Sequence, residues 1–283
     1  MQSSAGSDLK RYFKTGPRYV RISLDLIHNA DEYVNVLGIL FNNSNFSTAT
    51  RKKLYKNLRL LCIDLAGSLP TGSMDLGMGI YFENKTRVNV VLKAGLLKSI
   101  RYGAKAPAIS LNLSFNPGQV LIRSLASSLA QSPALTELAL RNNRLASRDI
   151  LLIAQAVSNN RQLKVLDLSD NPVDAHSAKG LANMVTKNST LTGLHLNSTK
   201  IGNHGVNLLS LALFENTTLR QLSLENAEIE DYGASTLHYA LERNITLVSL
   251  RLDNNPIDSA HPVHQKAQCI STAWYQAFYD APR

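Results

Sequence analysis

The chain has 283 residues, of which 44% are hydrophobic and 18% are charged, and its formal net charge is +9. It is long enough for a sizeable core, has no run of about 18 apolar residues that could span a bilayer, and opens without the apolar core of a signal peptide. Two cysteines, Cys62 and Cys269, cannot form a disulfide framework or a CxxC site. We therefore expect a cytoplasmic or otherwise intracellular protein without a membrane span.

The positive charge is concentrated in the first third of the chain. Residues 1–107 contain 16 Lys or Arg against 7 Asp or Glu, whereas residues 108–283 contain 14 of each. Such an excess attracts nucleic acid or another acidic partner, because basic side chains displace counterions from a polyanion. The densest cluster of candidate contacts is Lys52, Lys53, Tyr55 and Lys56. A solvated helix face explains the same four residues without any partner.

Residues 1–19 form a basic arm in which Lys10, Arg11, Lys14 and Arg18 are interrupted by Gly16 and Pro17. A flexible arm is one interpretation of this composition. A targeting segment for an organelle is the alternative, since such segments are basic and poor in acidic residues. Asp8 and the lack of a clear amphipathic run count against targeting.

Residues 20–107 resemble irregular repeats with an N-terminal cap. A strand is predicted near Leu24 and Leu26, a helix over 33–41, a strand at Leu61, Ile63 and Leu65, a loop over 67–79 and an apolar segment over 88–100. The interval from Leu26 to Leu65 is longer than the period of the later, regular repeats, so the repeats here contain insertions. A separate small domain is the alternative.

Residues 108–258 are regular, and five L-x-x-L-x-L phrases in them begin at a constant interval. The phrases open at Leu135, Leu163, Leu191, Leu219 and Leu247. Alternating leucines predict a short half-buried strand in each phrase, and residues 109–130 hold a slightly shorter copy. About nine residues later apolar residues at spacings of three and four predict a helix. A fixed period indicates stacked repeats, in which neighbouring units bury a common core.

Two single residues recur in the regular repeats. An aliphatic residue between strand and helix is predicted to fill the core beneath the turn: Leu145, Val173, Ile201, Ile229 and Ile257. An asparagine follows each helix: Asn160, Asn188, Asn216 and Asn244. We interpret these asparagines as stop signals, since Asn tolerates the left-handed conformation that ends many helices.

The L-x-x-L-x-L-x-x-N phrase with a helix in a 28-residue unit resembles the leucine-rich repeats of the ribonuclease-inhibitor-like class. That class also occurs in innate-immune receptors, tropomodulins and Ran GTPase activators. The resemblance implies an α/β leucine-rich repeat solenoid, a horseshoe arc with a parallel β-sheet on the concave face and helices on the convex face. The final Asn is present as Asn116, Asn143, Asn171 and Asn255. Thr199 and Ala227 replace it, so we expect an interrupted Asn ladder and a looser turn there.

Residues 259–283 lie beyond the last repeat. Their sequence predicts a helix from about Val263 to Tyr279, and Trp274 and Phe278 are expected to cover the end of the core, with Ile270 as a further candidate. An aromatic docking patch is the alternative role for the same residues.

Binding residues are expected on the concave face, where the residues between the strand leucines point outward. The strongest candidates there for contact with a partner protein are Arg141, Asp167, His195, Glu225, Arg251 and Asp253. This face lacks Trp, Tyr and Phe, so aromatic and basic residues near the two ends of the chain are further candidates.

Catalysis and cofactor binding are disfavoured by the same sequence. Asp167, His195 and Ser223 occupy equivalent positions in three successive strands, in the order of a catalytic relay, but no oxyanion hole is evident. His261, His264 and Cys269 lack a fourth ligand for zinc. No phosphate-binding glycine motif occurs, and no acidic tail of the Ran GTPase-activator kind is present. We predict neither a cofactor nor a metal.

Eight Asn-x-Ser/Thr triplets occur, and three of them coincide with the residues that follow the helices: Asn188, Asn216 and Asn244. Glycosylation is not expected, because no export signal accompanies them. The leading hypothesis is a non-catalytic scaffold for protein–protein interaction, as a subunit or adaptor in a larger assembly. The alternative is a ribonucleoprotein subunit that binds RNA through residues 1–107.

Overall fold

A computed structural model describes residues 19–23, 60–64, 80–81, 87–88, 108–115, 122–129 and 135–279. The chain divides into two compact units, residues 1–138 and residues 139–283, and each is described by itself. No helix among these described residues is both long enough and apolar enough to cross a membrane.

Among the described residues of the first unit, short strands precede one helix, and a further strand follows it and ends at Ala139. The elements are β1 (Tyr19–Ser23), β2 (Leu60–Asp64), β3 (Ile80–Tyr81), β4 (Arg87–Val88), β5 (Ala108–Asn112), α1 (Ile122–Leu129) and β6 (Leu135–Ala139). β2 lies between β1 and β5 and pairs in parallel with both, whereas β3 and β4 pair antiparallel. The strand predicted at Leu61 and Ile63 is thus confirmed. The expected helix over 33–41, the loop over 67–79 and Leu24 and Leu26 lie outside the described residues.

The second unit alternates strictly between helix and strand. Its elements are α2 (Ser147–Asn159), β7 (Val165–Asp167), α3 (Ala175–Lys187), β8 (Gly193–His195), α4 (Gly202–Glu215), β9 (Gln221–Ser223), α5 (Asp231–Arg243), β10 (Ser249–Arg251) and α6 (Pro262–Tyr279). β7 to β10 pair in parallel, and each residue lies beside its equivalent in the next repeat. The prediction of stacked, equivalent repeats is confirmed for these strands.

The core of the second unit lies between the sheet and the helices. Leu166, Leu194 and Leu222 on the strands are at most 1% exposed, and the helix residues predicted from the three-and-four spacing are buried as well. Burying one leucine side chain contributes about 2 kcal/mol, so a repeat depends on its neighbours for most of its stability. The aliphatic residues under the turns are buried in four repeats, but Ile257 in the last repeat is half-buried.

The C-terminal helix α6 is present as predicted. Val263 is fully buried, and α6 packs against α5 and β10. Ile270 is half-buried. The side chains of Trp274 and Phe278 lie outside the described residues, so their expected role in covering the end stays a prediction.

Left-handed backbone occurs after the strands rather than after the helices. The residues with positive φ at the first equivalent turn position are Asn142, Asp170, Ser198, Asn226 and Asn254. Short polar side chains of this kind tolerate that conformation best. Each of the strands β6 to β10 therefore leaves the sheet through a left-handed residue.

The asparagines that follow the helices adopt a different conformation from the one predicted. Asn188 has φ −82° and ψ 127°, and Asn160, Asn216 and Asn244 are likewise extended. The interpretation as left-handed stop residues is wrong. Asn is selected here for its side chain, which has both a donor and an acceptor for buried backbone groups that the helix end leaves without partners.

These four asparagines form a buried row, called here the helix-exit ladder. The Nδ2 group of Asn188 donates to the carbonyl of Val157 at 2.6 Å and to the carbonyl of Asn160 at 3.0 Å, one repeat earlier. Its Oδ1 accepts the N–H groups of Thr190 at 2.8 Å and Leu191 at 2.6 Å within its own repeat. Asn216 and Asn244 repeat this pattern. The side chains of Asn188, Asn216 and Asn244 thus each join two successive repeats.

A second row, formed by the final Asn of the phrase, is interrupted as predicted. Asn171 donates to the carbonyl of Leu140 at 2.9 Å, and its Oδ1 accepts the N–H of Leu145 at 3.1 Å. At Thr199 the backbone carbonyl takes over the acceptor role, accepting the N–H of Val173 at 2.8 Å. The carbonyl of Ala227 similarly accepts the N–H of Gly202 at 3.0 Å. Backbone hydrogen bonds therefore connect these repeats at the two positions where the asparagine side chain is missing.

Replacing a member of the helix-exit ladder is expected to destabilise the fold strongly. Asn216→Ala leaves the buried carbonyl of Val185 and the N–H of Leu219 without partners, and should lower the free energy of unfolding by about 3 kcal/mol. Urea unfolding followed by circular dichroism measures this. The control, Thr217→Ala at the exposed neighbouring position, should change stability by less than about 0.5 kcal/mol. An equal, small effect of both substitutions would contradict the role of the ladder.

Helix α3 begins with a capping box. Oδ1 of Asp174 accepts the backbone N–H of Ser177 at 2.8 Å and the hydroxyl of Ser147 at 2.7 Å. The N–H of Asp174 donates in return to Oγ of Ser177 at 3.0 Å. These bonds favour the carboxylate, so the pKa of Asp174 is lowered to about 2, chiefly by the backbone N–H of Ser177. The ionised side chain therefore stabilises the folded state at neutral pH.

Asp174→Ala should lower the free energy of unfolding by about 1 kcal/mol at pH 7, whereas Asp174→Asn, which keeps the accepting oxygen, should lower it much less. Because the folded-state pKa lies below the unfolded one, the contribution of the charge is complete above about pH 4 and is lost as the pH falls towards 2. Thermal melts between pH 7 and pH 2 should show the Ala deficit shrinking in that window. A deficit that grows on acidification would contradict this assignment.

Candidate functional site

The outward residues of β7 to β10, with those of the turns that follow, form one surface, called here the sheet face. Strand pairing places Asp167 beside His195, His195 beside Ser223, and Ser223 beside Arg251. The leucines flanking these positions point into the core. The structure therefore brings together three predicted contact residues and the serine of the suspected relay in one row.

The relay itself is not assembled in this row. Nδ1 of His195 and Oγ of Ser223 share a hydrogen bond of 3.0 Å. Oδ1 of Asp167, however, accepts the backbone N–H of Ser169 at 2.9 Å, and no hydrogen bond joins Asp167 to His195. Ser223 is only 5% exposed, so a substrate has little access to its hydroxyl. A nucleophile needs a base that a third group orients, and this row lacks that orientation.

The next row of the sheet face is held by hydrogen bonds between repeats. Oδ1 of Asn197 accepts the backbone N–H of Glu225 at 2.9 Å, and Oγ of Ser169 accepts that of Asn197 at 3.2 Å. Nη1 of Arg251 lies 3.2 Å from Oε1 of Glu225. These contacts fix the rotation of each side chain on the strand. The sheet face is therefore an ordered polar surface.

Both predicted arginine anchors are paired within the chain. Arg251 pairs with Glu225, and Nε of Arg141 pairs with a carboxylate oxygen of Asp170 in the following repeat. The arginine side chains remain 64% and 47% exposed, and exposed pairs of this kind contribute less than about 1 kcal/mol. A partner can therefore compete for either guanidinium at little cost. Asp167 and Asp253 add negative charge to the same surface.

Sequence reasoning missed that the side chains of Val165 and Gln221 close over Gly193, which is buried. A Cβ atom at this position would lie 3.3 Å from Cγ2 of Val165 and 3.7 Å from Oε1 of Gln221, one strand away on either side. The signal was present in the sequence, because Gly193 shares its column with residues that all have side chains. Beside His195 the sheet face is therefore formed by the side chains of Val165 and Gln221 rather than by the backbone of Gly193.

The remaining predicted contacts, Lys52, Lys53, Tyr55 and Lys56, lie outside the described residues.

The metal site considered for His261, His264 and Cys269 does not form. Nε2 of His261 bonds Oγ of Ser235 at 3.0 Å, and its Nδ1 accepts the N–H of Val263 at 3.1 Å. Within the described ranges no group of three or more His, Cys, Asp or Glu side chains is arranged to hold a metal ion.

Three glycosylation triplets begin at buried asparagines. Asn188, Asn216 and Asn244 are at most 8% exposed, and their Nδ2 groups already donate to carbonyls of the preceding repeat. A glycan on any of them is incompatible with this packing. These triplets are consequences of the helix-exit ladder.

Sequence reasoning also missed an apolar surface on the helices. We call Leu211, Phe214, Tyr239 and Arg243 the helix-face patch. The rings of Phe214 and Tyr239 are stacked with centroids 6.3 Å apart and planes inclined by 16°. The guanidinium of Arg243 lies 5.1 Å from the centroid of the Phe214 ring. Leu211 and Tyr239 occupy equivalent positions in successive repeats, and this coincidence was the signal available in the sequence.

Comparison with known proteins agrees with this architecture. A family model described as Leucine Rich repeat matches residues 159–182 and 215–237. No curated protein matches the chain in sequence. A solved structure titled "Leiomodin-1 Actin-Binding Site 2 (ABS2)" is 22% identical, with a TM-score of 0.50, and the match covers 58% of this chain and 96% of that one. A tropomodulin C-terminal domain from Caenorhabditis elegans is 18% identical, with a TM-score of 0.43, and the match covers 52% and 90%.

The matched segments of the family model each contain one helix exit, one strand and the start of the next helix. Together with the parallel, equally spaced strands, they show a leucine-rich repeat fold in the second unit. The likeness to the leiomodin-1 structure is a likeness of fold.

Proposed function

We propose that this protein is a non-catalytic scaffold that binds another protein through the sheet face, as a subunit or adaptor of a larger assembly. One observation carries the proposal: the constant register of β7 to β10 holds polar side chains one strand apart on a rigid surface. Repeat folds present extended surfaces of this kind to partners, and rigid side chains lose little entropy on binding.

Three features support a binding role in place of catalysis. Ser223 is almost fully buried, Asp167 is engaged by the backbone of Ser169, and the surface around them is an open sheet. Binding requires only complementary contacts, and the exposed Arg141, Arg251 and Asp253 supply them.

The solved structure of leiomodin-1 is named for an actin-binding site, so actin is the first partner protein to test. The repeat period favours placing the repeats in the ribonuclease-inhibitor-like class. We further propose that residues 1–19 are a basic arm, 20–107 irregular repeats and a cap, 108–258 the regular repeats and 259–283 the closing segment. A reducing compartment such as the cytoplasm fits the exposed thiol of Cys269.

A second candidate function is association with nucleic acid through residues 1–107. The observation favouring it is the net charge of +9 in that segment, given by 16 basic and 7 acidic residues. A gel-shift titration with RNA and with DNA at two salt concentrations tests it. Binding that weakens steeply with salt supports this candidate, because counterion release drives such binding. No shift even at low salt eliminates it.

Sheet-face substitutions should abolish partner recovery. We expect the triple variant His195→Ala, Arg251→Ala, Asp253→Ala to retain less than about a tenth of the protein that the tagged chain recovers from its own cells, since it removes the central contacts. Quantitative mass spectrometry of the recovered proteins measures this, with titration of purified actin as a separate arm.

The matched control replaces three exposed helix residues, Arg148→Ala, Lys179→Ala and Lys187→Ala, and should recover the same proteins as the wild type. Circular dichroism establishes that both variants are folded. Undiminished recovery by the sheet-face variant contradicts the proposed binding surface.

A further inference from the structure

Among the described side chains of the second unit, the large exposed apolar ones fall in one stretch of the sequence. Six such residues are exposed in the described part of the chain, and all but Phe115 fall between residues 211 and 245: Leu211, Phe214, Tyr232, Tyr239 and Ile245. Leu211 is 64% exposed and Tyr239 is 59% exposed. Clustered apolar side chains of this kind mark an interaction surface more often than single exposed ones do.

Among α2 to α5, the exposed position that Leu211 occupies is apolar in α4 and α5 alone. The position of Leu211 and Tyr239 is occupied by Gln155 in α2 and by Asn183 in α3, and both of these residues are exposed. Polar residues thus satisfy the structural requirements of this position elsewhere in the unit. The stacked ring pair Phe214–Tyr239 therefore needs an explanation outside the packing of the repeats themselves.

Opposite charges lie at equivalent positions beside this region. Glu215 ends α4, and Arg243, its equivalent in the next repeat, ends α5; both are exposed. Equivalent residues of neighbouring repeats lie side by side. We consider a two-fold axis that runs parallel to α4 and α5, above their exposed side and equidistant from the two helices. It places α4 of one copy on α5 of the other, so that each residue faces its equivalent from the neighbouring repeat.

We propose that the helix-face patch is the interface of a homodimer with this two-fold symmetry. Leu211 of each copy packs on Tyr239 of the other, and Glu215 of each copy pairs with Arg243 of the other. Every contact occurs twice, as an isologous interface requires. A second copy matches this surface in charge, since every copy presents both Arg243 of the helix-face patch and Glu215 beside it. The sheet face lies on the opposite side of the repeats and stays open in the dimer.

Sedimentation velocity of the full chain over a concentration series tests this. The wild type should reach twice the chain mass of 31.1 kDa. Tyr239→Glu and Leu211→Glu should each raise the dissociation constant at least about ten-fold, because each buries a charge in the apolar centre. Asn183→Glu, which adds the same charge at the equivalent exposed position of α3, should leave it unchanged. Retained melting temperatures show that the variants are folded.

A charge exchange tests the symmetry itself. Glu215→Arg or Arg243→Glu alone sets like charges against each other in both symmetry-related pairs and should weaken self-association. An equimolar mixture of the two variants should recover a heterodimer, because both pairs across the interface are then opposite in charge. The double variant with both substitutions in one chain should dimerise again, and raised salt should reduce these differences.

A wild type that stays monomeric throughout the series overturns the proposal. A dimer that Tyr239→Glu leaves intact, or a mixture of the two charge variants that fails to associate, also overturns it. Each of these results is independent of partner binding through the sheet face, which is measured with different variants.

Discussion

The helix-exit ladder is the constraint on which the second unit depends. The carbonyls at the end of each helix and the N–H groups that begin the next phrase are buried, and a buried backbone group without a partner costs about 1–3 kcal/mol. One asparagine side chain satisfies both sets, and it does so across two repeats. A single repeat cannot complete these bonds, so stacking is required by hydrogen bonding as well as by the shared leucine core.

Both proposed binding surfaces follow from this stacking. A ladder with one asparagine in each repeat fixes the register between repeats, and the register places Asp167, His195, Ser223 and Arg251 in one row of the sheet. The same register sets Phe214 and Tyr239 side by side on the helices. Substitutions at outward positions leave the ladder intact, so the two surfaces can differ in chemistry while the fold remains constant.

Much of this architecture could be predicted from the sequence because the leucine period reports directly on burial. The strands, the helices and their buried residues agreed with the pattern. The conformation predicted for the asparagines after the helices was wrong. Asn suits both a left-handed turn and a buried bridging position, and the residue type alone does not distinguish the two. The pairing of Arg251 with Glu225 depends on side-chain reach between repeats, which periodicity does not report. The helix-face patch was missed because outward positions obey no shared pattern.

Hydrogen exchange at the phrase leucines tests the central claim most directly. The N–H of Leu191 is bonded to Oδ1 of Asn188, and the carbonyl of Asn188 accepts Nδ2 of Asn216 in the next repeat. If the ladder couples repeats, Asn188→Ala should accelerate exchange at Leu191 and also at Leu163 and Leu219 in the flanking repeats, by about ten-fold or more. Acceleration confined to Thr190 and Leu191 would contradict coupling through the ladder.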